Sequence, residues 1–253
     1  MLKDTEWLTI NKILLELYTV NDITHLAEKT MKVLRMLIPY TKGYFIMLDE
    51  KQDIRREDAY FVGMDKSESE EYIDDYYEQD YLKYLYEFSA GTCVYQDTSI
   101  LDEDVRKNTP FYKRFLRPFD IPYGCGIMII RNGQIIGIFN LFRSEALGDF
   151  SEKDIYILNV LKNHIENMIV NSMQLSRQQV AMENCLQQMK EKYGITDREK
   201  DILKLIGEGC SNSEICDKLV VSLSTVKKHV YNIYTKTGVK SRTQLLNLLY
   251  SQI

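Results

Sequence analysis

The chain has 253 residues, of which 45% are hydrophobic and 27% charged, a composition ordinary for a globular protein. No apolar run reaches the roughly 20 residues of a membrane-spanning helix, and the start MLKDTEWLTINK lacks a signal-peptide pattern. We therefore expect a cytoplasmic protein without membrane contact. Five cysteines without a CxxC pair and only three histidines do not suit a structural zinc site, so we expect no metal and no cofactor.

The charge is distributed unevenly along the chain. The net charge is −5, yet residues 195–253 hold nine lysines and arginines against six acidic residues, so this end carries +3 and residues 1–194 carry −8. Asp217 is the last acidic residue, and the final 36 positions contain none. Lysines retained where acids are absent are typical of a surface that binds a polyanion. The C-terminal end is therefore a candidate for nucleic-acid binding.

The first 150 residues combine helical and strand-like patterns. Apolar residues recur at helical spacing over residues 5–38 with a break near Asn21-Asp22, which predicts two helices that end before Pro39. An acidic segment rich in tyrosine, residues 67–89, is also predicted to be helical. The strand-like stretches outside the central hairpin are 43–48, 59–62 and 93–95.

Two apolar runs, residues 126–130 and 134–142, flank Asn132-Gly133, a strong signal for a type I′ hairpin turn. Helices first, a hairpin at the centre and a helix afterwards predict an α+β domain with a central antiparallel sheet. The hairpin, together with residues 137–143 (GIFNLFR) and 150–154 (FSEKD), resembles the closing half of GAF domains. This resemblance implies that residues 1–150 form a GAF-like domain that senses a signal or ligand.

The tyrosine-rich segment supplies candidate ligand contacts. Tyrosine carries a polar hydroxyl on an apolar ring, so several tyrosines on one segment can line a pocket with donors directed inward. The alternative is a half-buried helix whose phenols reach water. The predicted pocket, for a small molecule that the sequence does not identify, consists of Phe45, Met47, Tyr76, Tyr77, Tyr81, Tyr84 and Met128.

Other interpretations of the first 150 residues stay open. Residues 72–81 (YIDDYYEQDY) resemble the aromatic helix of quorum-sensing autoinducer domains, although the Asp-Pro expected to follow is absent. A phosphorylation-controlled receiver domain would use Asp49-Glu50 and Asp97. A domain that docks proteins without a small molecule is the third alternative. The chain has no phosphate loop, GxGxxG or GxSxG motif, so we expect no enzyme activity and no catalytic residues.

Residues 151–193 are predicted to form one long helix that begins at Ser151 and ends before Gly194. Heptad spacing predicts a coiled coil that pairs two chains as a homodimer through residues 155–190, with polar exceptions at Ser172 and Gln179. A helix packed on its own domain is the alternative. The apolar heptad positions are 158, 161, 165, 168, 175, 182, 186 and 189.

Residues 194–253 are predicted to form an all-α domain of four short helices, at 197–208, 212–220, 223–237 and 242–250. The link between the second and third helices is only a few residues long, which is typical of a helix-turn-helix. Ser222 is a candidate cap for the third helix. The other three helix starts match the capping box, in which a hydroxyl and a later acid or amide exchange hydrogen bonds: Thr196 with Glu199, Ser211 with Glu214 and Ser241 with Gln244.

The same segment resembles a known family along its whole length. Residues 195–199 (ITDRE), 209–215 (GCSNSEI), 222–230 (SLSTVKKHV) and 238–244 (GVKSRTQ) look like the LuxR-type DNA-binding domain. The resemblance covers residues 194–250. It implies a four-helix domain that binds double-stranded DNA, usually as a dimer, with its third helix in the major groove.

The resemblance also implies which side chains contact DNA. It places base contacts at Lys227, Lys228 and Tyr231, and the chemistry agrees, because lysine can donate to guanine O6 and N7. These residues share the polar face of the predicted helix 223–237, opposite an apolar face that begins at Val226. The predicted phosphate contacts are Asn212, Thr225, Asn232, Lys236, Lys240, Ser241 and Arg242. The sequence thus predicts a transcriptional regulator in which a signal at the first domain changes DNA binding by the last.

Overall fold

The computed structural model describes residues 2–82, 89 and 91–251. Its chain divides into two compact units, Met1–Met173 and Gln174–Ile253. In chain order, the elements of the first unit are the helices and strands Asp4–Leu17 (α1), Ile23–Leu37 (α2), Lys42–Met47 (β1), Tyr60–Val62 (β2), Lys66–Glu71 (α3), Cys93–Gln96 (β3), Glu103–Asn108 (α4), Tyr123–Arg131 (β4) and Gln134–Arg143 (β5). The helix Glu152–Tyr193 (α5) begins in the first unit and ends in the second.

The described strands form one antiparallel sheet in the order β2-β1-β5-β4-β3. Asn132 and Gly133 join β4 to β5 with φ values of 51° and 74°, the positive angles that a type I′ turn requires. The predicted hairpin and the predicted α+β fold are therefore confirmed. A receiver domain has a parallel sheet of the doubly wound type, so the receiver interpretation of Asp49-Glu50 and Asp97 is wrong.

One face of the sheet is covered by helices. Apolar side chains of α1, α2 and the first part of α5 pack there against Phe45, Met47 and their neighbours on β4 and β5. The two helices predicted in residues 5–38 are confirmed, with the Asp22 side chain accepting a hydrogen bond from His25 N–H at the start of α2. This layer forms the first apolar core of the unit.

The opposite face of the sheet packs against the tyrosine-rich segment. Tyr44, Met128 and Phe142 of the sheet lie there with Tyr72 and Tyr77. The helical backbone expected over residues 67–89 changes type within the described part of that segment, because α3 ends at Glu71. The chain then continues as a wide π-type turn, Tyr72–Tyr76, and a 3₁₀ turn, Tyr77–Gln79.

The second unit has an apolar core of its own. After α5, its helices are Asp197–Gly207 (α6), Asn212–Leu219 (α7), Leu223–Thr237 (α8) and Arg242–Tyr250 (α9), as predicted to within a residue at each end. Ile206, Ile215, Val226 and Leu245 are fully buried where these helices meet. The C-terminal part of α5 contributes Cys185, Leu186 and Met189 to the same core.

The heptad positions of α5 are mostly buried within the chain itself. Leu158, Leu161, Ile165 and Met168 belong to the core of the first unit, and Leu186 and Met189 belong to the core of the second. These side chains therefore do not form a coiled coil through the whole of residues 155–190. They fit the alternative, in which the helix packs on its own domain. No helix within the described residues combines the length and apolar character that crossing a bilayer requires.

Candidate functional site

We call the helices α6 to α9 the C-terminal module. Each of these helices starts at a side-chain cap. The N–H groups of Glu199, Glu214, Thr225 and Gln244 donate to the hydroxyls three residues earlier, at distances of 3.2–3.3 Å. Two of the predicted capping boxes are confirmed, those at Thr196 and Ser211. The third differs, because the Gln244 amide oxygen accepts from Lys240 N–H at 2.7 Å rather than from Ser241 N–H. These caps fix where α8 begins and which of its faces is exposed.

The link between α7 and α8 consists of residues 220–222. Val220 has a left-handed backbone with φ of 53°, which is uncommon for a β-branched residue, and its side chain is 89% exposed. Val221 N–H donates to Cys216 O at 3.1 Å, so the turn is closed by the end of α7. Together α7 and α8 form the predicted helix-turn-helix.

The two faces of α8 have different surroundings. Val226 and Ile233 are fully buried, which confirms the predicted apolar face. Lys227 and Lys228 are exposed, and the Tyr231 side chain is 70% exposed. Within the described part of the chain, neither lysine has an ion-pair partner, and the first turn of α8 contains no acidic residue. The described side chains therefore do not neutralise these two cations.

The seven predicted phosphate contacts lie in different environments. Thr225, Lys240 and Ser241 belong to the starts of α8 and α9, and Lys240 and Ser241 are exposed. Asn212 and Asn232 are half-buried. In the structure without DNA, Lys236 and Arg242 are bonded to the protein: the guanidinium of Arg242 donates to Cys210 O, and Lys236 binds the start of α6. Their contacts with phosphate stay predictions.

Lys236 forms an ion pair with a buried carboxylate. Its Nζ lies 2.6 Å from Glu199 Oε2 and 2.7 Å from Gly194 O. Burial acts to raise the pKa of Glu199, but Lys236 and the N–H of Thr196 outweigh it and leave that pKa below its usual value. The charge on Lys236 therefore stabilises the capping box of α6.

A second candidate site lies in the first unit, on the face of the sheet that carries the tyrosines. The Tyr72 hydroxyl lies 2.7 Å from the Tyr44 hydroxyl and 3.0 Å from Asp80 Oδ2, and Leu82 N–H donates to Asp80 Oδ1 at 2.9 Å. The amide of Asn140 donates to the Tyr44 hydroxyl at 3.1 Å. We call Tyr44, Tyr72, Asp80, Tyr95, Asp97 and Asn140 the buried polar cluster, because each of them is at most 6% exposed.

The carboxylates of this cluster are strongly perturbed. Burial raises the pKa of Asp80 from 3.8 to about 7, and the nearby charge of Asp97 adds to the rise. Burial likewise raises the pKa of Asp97 to about 6, against the opposing effect of Arg106. Perturbed carboxylates inside a sensor-like domain are typical of functional sites.

The structure brings together part of the predicted ligand pocket. Tyr77 and Met128 belong to the core on this face of the sheet, and Tyr76 and Tyr81 pack against it. Phe45 and Met47 do not, because alternate residues of β1 point to opposite faces and these two point toward α1 and α2. Including them in the pocket was therefore wrong. Tyr84 lies outside the described residues.

The sequence reasoning missed most of the buried polar cluster. Asn140 carried a usable signal, since it is a polar residue inside the apolar strand GIFNLF. Asp97 was considered only as a phosphate acceptor. The sequence places Asp80 only within the acidic, tyrosine-rich segment 67–89, because it does not show that the chain turns inward there.

An α+β domain followed by a four-helix module with an exposed basic helix face defines a helix-turn-helix transcriptional regulator. The family model of bacterial regulatory proteins, luxR family, matches residues 194–249. A Salmonella typhimurium protein named "Probable csgAB operon transcriptional regulatory protein" is 47% identical over 184 residues, which cover 64% of this chain and 75% of that protein. The chain belongs to the LuxR family of bacterial regulatory proteins.

One further relative agrees with this assignment, and one solved structure shares the fold. The monoamine regulon transcriptional regulator of Klebsiella aerogenes is 25% identical over 223 residues, which cover 88% of this chain and 89% of that protein. The VqsR LBD domain from Pseudomonas aeruginosa has the same fold, with a TM-score of 0.51 and 14% identity over 65% of this chain and 96% of that one. The predicted α+β fold and the helix-turn-helix are thus both confirmed. Since these relatives are regulators, the prediction that the chain is not an enzyme is confirmed as well.

Proposed function

We propose that this LuxR-family regulator acts as a dimer whose first domain binds a small molecule and thereby changes how strongly the C-terminal module binds its operator. The observation that carries the DNA-binding part is the exposed face of α8, where two lysines and a tyrosine follow a first turn that contains no acidic residue. Neither lysine is paired with a carboxylate within the described residues, so both charges are available to a polyanion. DNA phosphates and guanine edges would compensate them.

Lys227, Lys228 and Tyr231 are the side chains that we propose to contact bases. Their exposure leaves them free to enter a major groove, which has the width of a helix. We propose that Lys240 and Ser241, at the start of α9, hold phosphates, which fix position without reading sequence. Lys236 is a weaker candidate, because its ammonium already has two protein partners.

The exposed part of α5 supports a dimer contact shorter than the predicted coiled coil. Residues 174–180 are all exposed, unlike the flanking heptad positions, and we call them the exposed stretch. It includes Leu175, 38% exposed, and Val180, 60% exposed. We propose that these two apolar side chains contact a second copy of the chain.

The buried polar cluster favours a small-molecule ligand over a protein-docking role for the first domain. The Tyr95 hydroxyl and Asn140 Oδ1 are buried and have no hydrogen-bond partner among the described residues. Buried polar atoms are nearly always paired, so an unpaired set in one place suggests a missing partner. A protein that docked on the surface would not reach these atoms.

The function is tested with the full-length protein and fragments of its own genome. Fragments retained at low salt are selected, and the affinity for the best of them is measured for the wild type and for Lys227→Ala. Loss of a good base contact should weaken specific binding by about 1–3 kcal/mol and relax sequence preference at one position. Lys66→Ala, an exposed lysine on α3, is the matched control and should leave affinity unchanged. If Lys227→Ala discriminates sequences as the wild type does, the proposed base contact is wrong.

A further inference from the structure

The buried polar cluster is built on one row of residues that crosses the sheet. Tyr95 of β3 pairs with Gly126 of β4, Gly126 pairs with Asn140 of β5, and Asn140 pairs with Tyr44 of β1. Directly paired residues of neighbouring strands point to the same face. The row therefore lays two phenols and an amide side by side, with a glycine between them.

Two glycines of β4 leave room that neighbouring polar side chains fill. A Cβ on Gly126 would lie 2.7 Å from the Tyr95 hydroxyl, and a Cβ on Gly124 would lie 2.4 Å from Asp97 Oδ2. The absence of side chains at these two positions lets the Tyr95 hydroxyl and the Asp97 carboxylate lie against the strand. Both polar groups thus reach the same face of the sheet as Asn140.

The unpaired atoms of the cluster lack a donor. Asn140 uses its amide N–H to donate to Tyr44, which leaves Oδ1 as an acceptor without a partner among the described residues. The Tyr95 hydroxyl, buried and unpaired, can also accept. Carboxylates are acceptors too, so a group that satisfied Asn140, Tyr95 and Asp97 together would have to donate several hydrogen bonds.

When its carboxyl groups are ionised, the cluster also has an excess of negative charge. Asp80 and Asp97 are both fully enclosed, and neither forms an ion pair within the described part of the chain. Arg106 is the buried cation near Asp97, but its guanidinium already donates to Glu103 at 2.9 Å and to Pro122 O at 2.7 Å. Buried charges without a partner are costly, which favours a positively charged occupant.

Aromatic rings complete the surroundings. Phe111 and Phe115 stack with a centroid distance of 5.3 Å, and Tyr72 lies 5.3 Å from Phe115. Tyr81 meets Phe111 edge to face at 5.9 Å. An apolar body can pack against such rings, and their faces attract cations.

We propose that the buried polar cluster binds a small organic cation, an amine whose ammonium group donates to Asp97, Asn140 and Tyr95 and whose apolar body packs on the aromatic rings. This assignment rests on the proposed ligand-sensing function and names its ligand class. The ammonium group supplies three donors and one positive charge, which match the unpaired acceptors and the charge excess. A neutral hydroxyl would supply one donor and no charge, and a carboxylate would add to the repulsion.

Three probes of one shape separate these chemistries: 2-phenylethylamine, 2-phenylethanol and phenylacetate, each titrated calorimetrically into the full-length protein. The amine should bind about tenfold or more tightly than the alcohol, as expected for a hydrogen bond to a charged group. Phenylacetate should show no binding. Asp97→Asn keeps the shape of the side chain and should remove the preference for the amine, whereas Asp75→Asn, an exposed acid of the same region, should keep it.

The outcomes distinguish the ligand class from the regulatory function. Equal or tighter binding of 2-phenylethanol or phenylacetate would overturn the amine assignment and leave a ligand sensor in place. Unchanged amine affinity in Asp97→Asn, or no amine binding at all, would overturn it too. In each case, the comparison of operator binding by the wild type and by Lys227→Ala still tests the regulatory function independently. If Asp97→Asn does not fold, Asp80→Asn provides the second variant, and it should also reduce the preference for the amine.

Discussion

Lys236 of α8 and Glu199 of α6 form an ion pair with a Nζ–Oε2 distance of 2.6 Å, and the carboxylate is only 3% exposed. The same carboxylate accepts from Thr196 N–H at 2.9 Å and so closes the capping box of α6. The lysine therefore ties the end of α8 to the start of α6. Sequence similarity alone suggested a phosphate contact at this position.

Replacing Lys236 with methionine should destabilise the module, because Glu199 would stay nearly buried without its cation. We expect a loss of about 1.5–3 kcal/mol, the range for a hydrogen bond to a charged group. Denaturant unfolding of the full-length protein measures this loss. The double variant Lys236→Met with Glu199→Gln should recover most of it, since glutamine can also close a capping box.

Lys240→Met is the matched control, because Lys240 is exposed at the start of α9. It should weaken DNA binding and leave the free energy of unfolding unchanged. If Lys236→Met lost only DNA affinity and kept full stability, the lysine would contact DNA phosphate and would not stabilise the capping box of α6.

The protein should become more stable when Val220, in the turn between α7 and α8, is replaced by a residue suited to a left-handed backbone. Val220 has φ of 53°, a conformation that costs an L-residue about 1–2 kcal/mol, and asparagine adopts it more readily. Because the valine side chain is 89% exposed, its removal sacrifices little burial. Val220→Asn should raise the free energy of unfolding by up to about 1 kcal/mol.

Thermal unfolding of Val220→Asn beside Val105→Asn checks this expectation. Val105 is also exposed, but it lies in the right-handed helix α4, where asparagine should be neutral or unfavourable. A destabilised Val220→Asn would show that the valine makes a contribution beyond its backbone conformation.

Local signals in the sequence were enough to predict most elements. Asn132-Gly133 predicted the hairpin, and Thr196 and Ser211 predicted helix starts, because turns and caps depend on side chains within a few residues. The lysines of α8 were placed on the correct face for the same reason: once Val226 is buried, helical geometry directs Lys227 and Lys228 outward.

Long-range packing was not predictable from the same patterns. In β1 both faces are apolar, so alternation could not show that Phe45 faces the helices while Tyr44 faces the tyrosines. On α5, a heptad pattern is satisfied equally by a second chain or by the helix's own domain, and Leu158 and Leu186 pack in the chain itself. The buried polar cluster depends on pairings such as Tyr95 with Gly126, which sequence spacing does not reveal.

Dimer formation should depend on the exposed stretch of α5. The double variant Leu175→Lys with Val180→Lys places two cations where we propose that two chains meet, and like charges repel across such a contact. We expect a shift from dimer to the 29.8 kDa monomer in native mass spectrometry of the full-length protein. Loss of the dimer should also weaken operator binding, because paired modules bind two half-sites.

Tyr156→Lys is the control for this prediction, since Tyr156 is an exposed ring of α5 outside the exposed stretch. It should leave the dimer intact. A dimer that survives the Leu175 and Val180 changes but not the Tyr156 change would place the contact in the first unit.

The buried carboxylate of Asp80 should make the protein less stable as the pH rises through the weakly acidic range. Burial raises the pKa of Asp80 from 3.8 to about 7, so between these values the folded state binds more protons than the unfolded state. The free energy of unfolding therefore falls as the pH rises from about 4 to about 7, by roughly 1.4 kcal/mol per unit of pKa shift. Asp97, with its pKa raised to about 6, acts in the same direction.

Asp80→Asn removes the titrating group and keeps the shape of the side chain. Denaturant unfolding at pH 4, 5, 6 and 7 should show similar stability for the variant and the wild type at the acid end and a growing advantage for the variant toward pH 7, about 2–4 kcal/mol at most. Asp75→Asn, at an exposed position, should follow the wild type throughout. Parallel pH profiles for Asp80→Asn and the wild type would mean that Asp80 titrates normally and that its burial is compensated by a partner, which would also weaken the case for a cationic ligand.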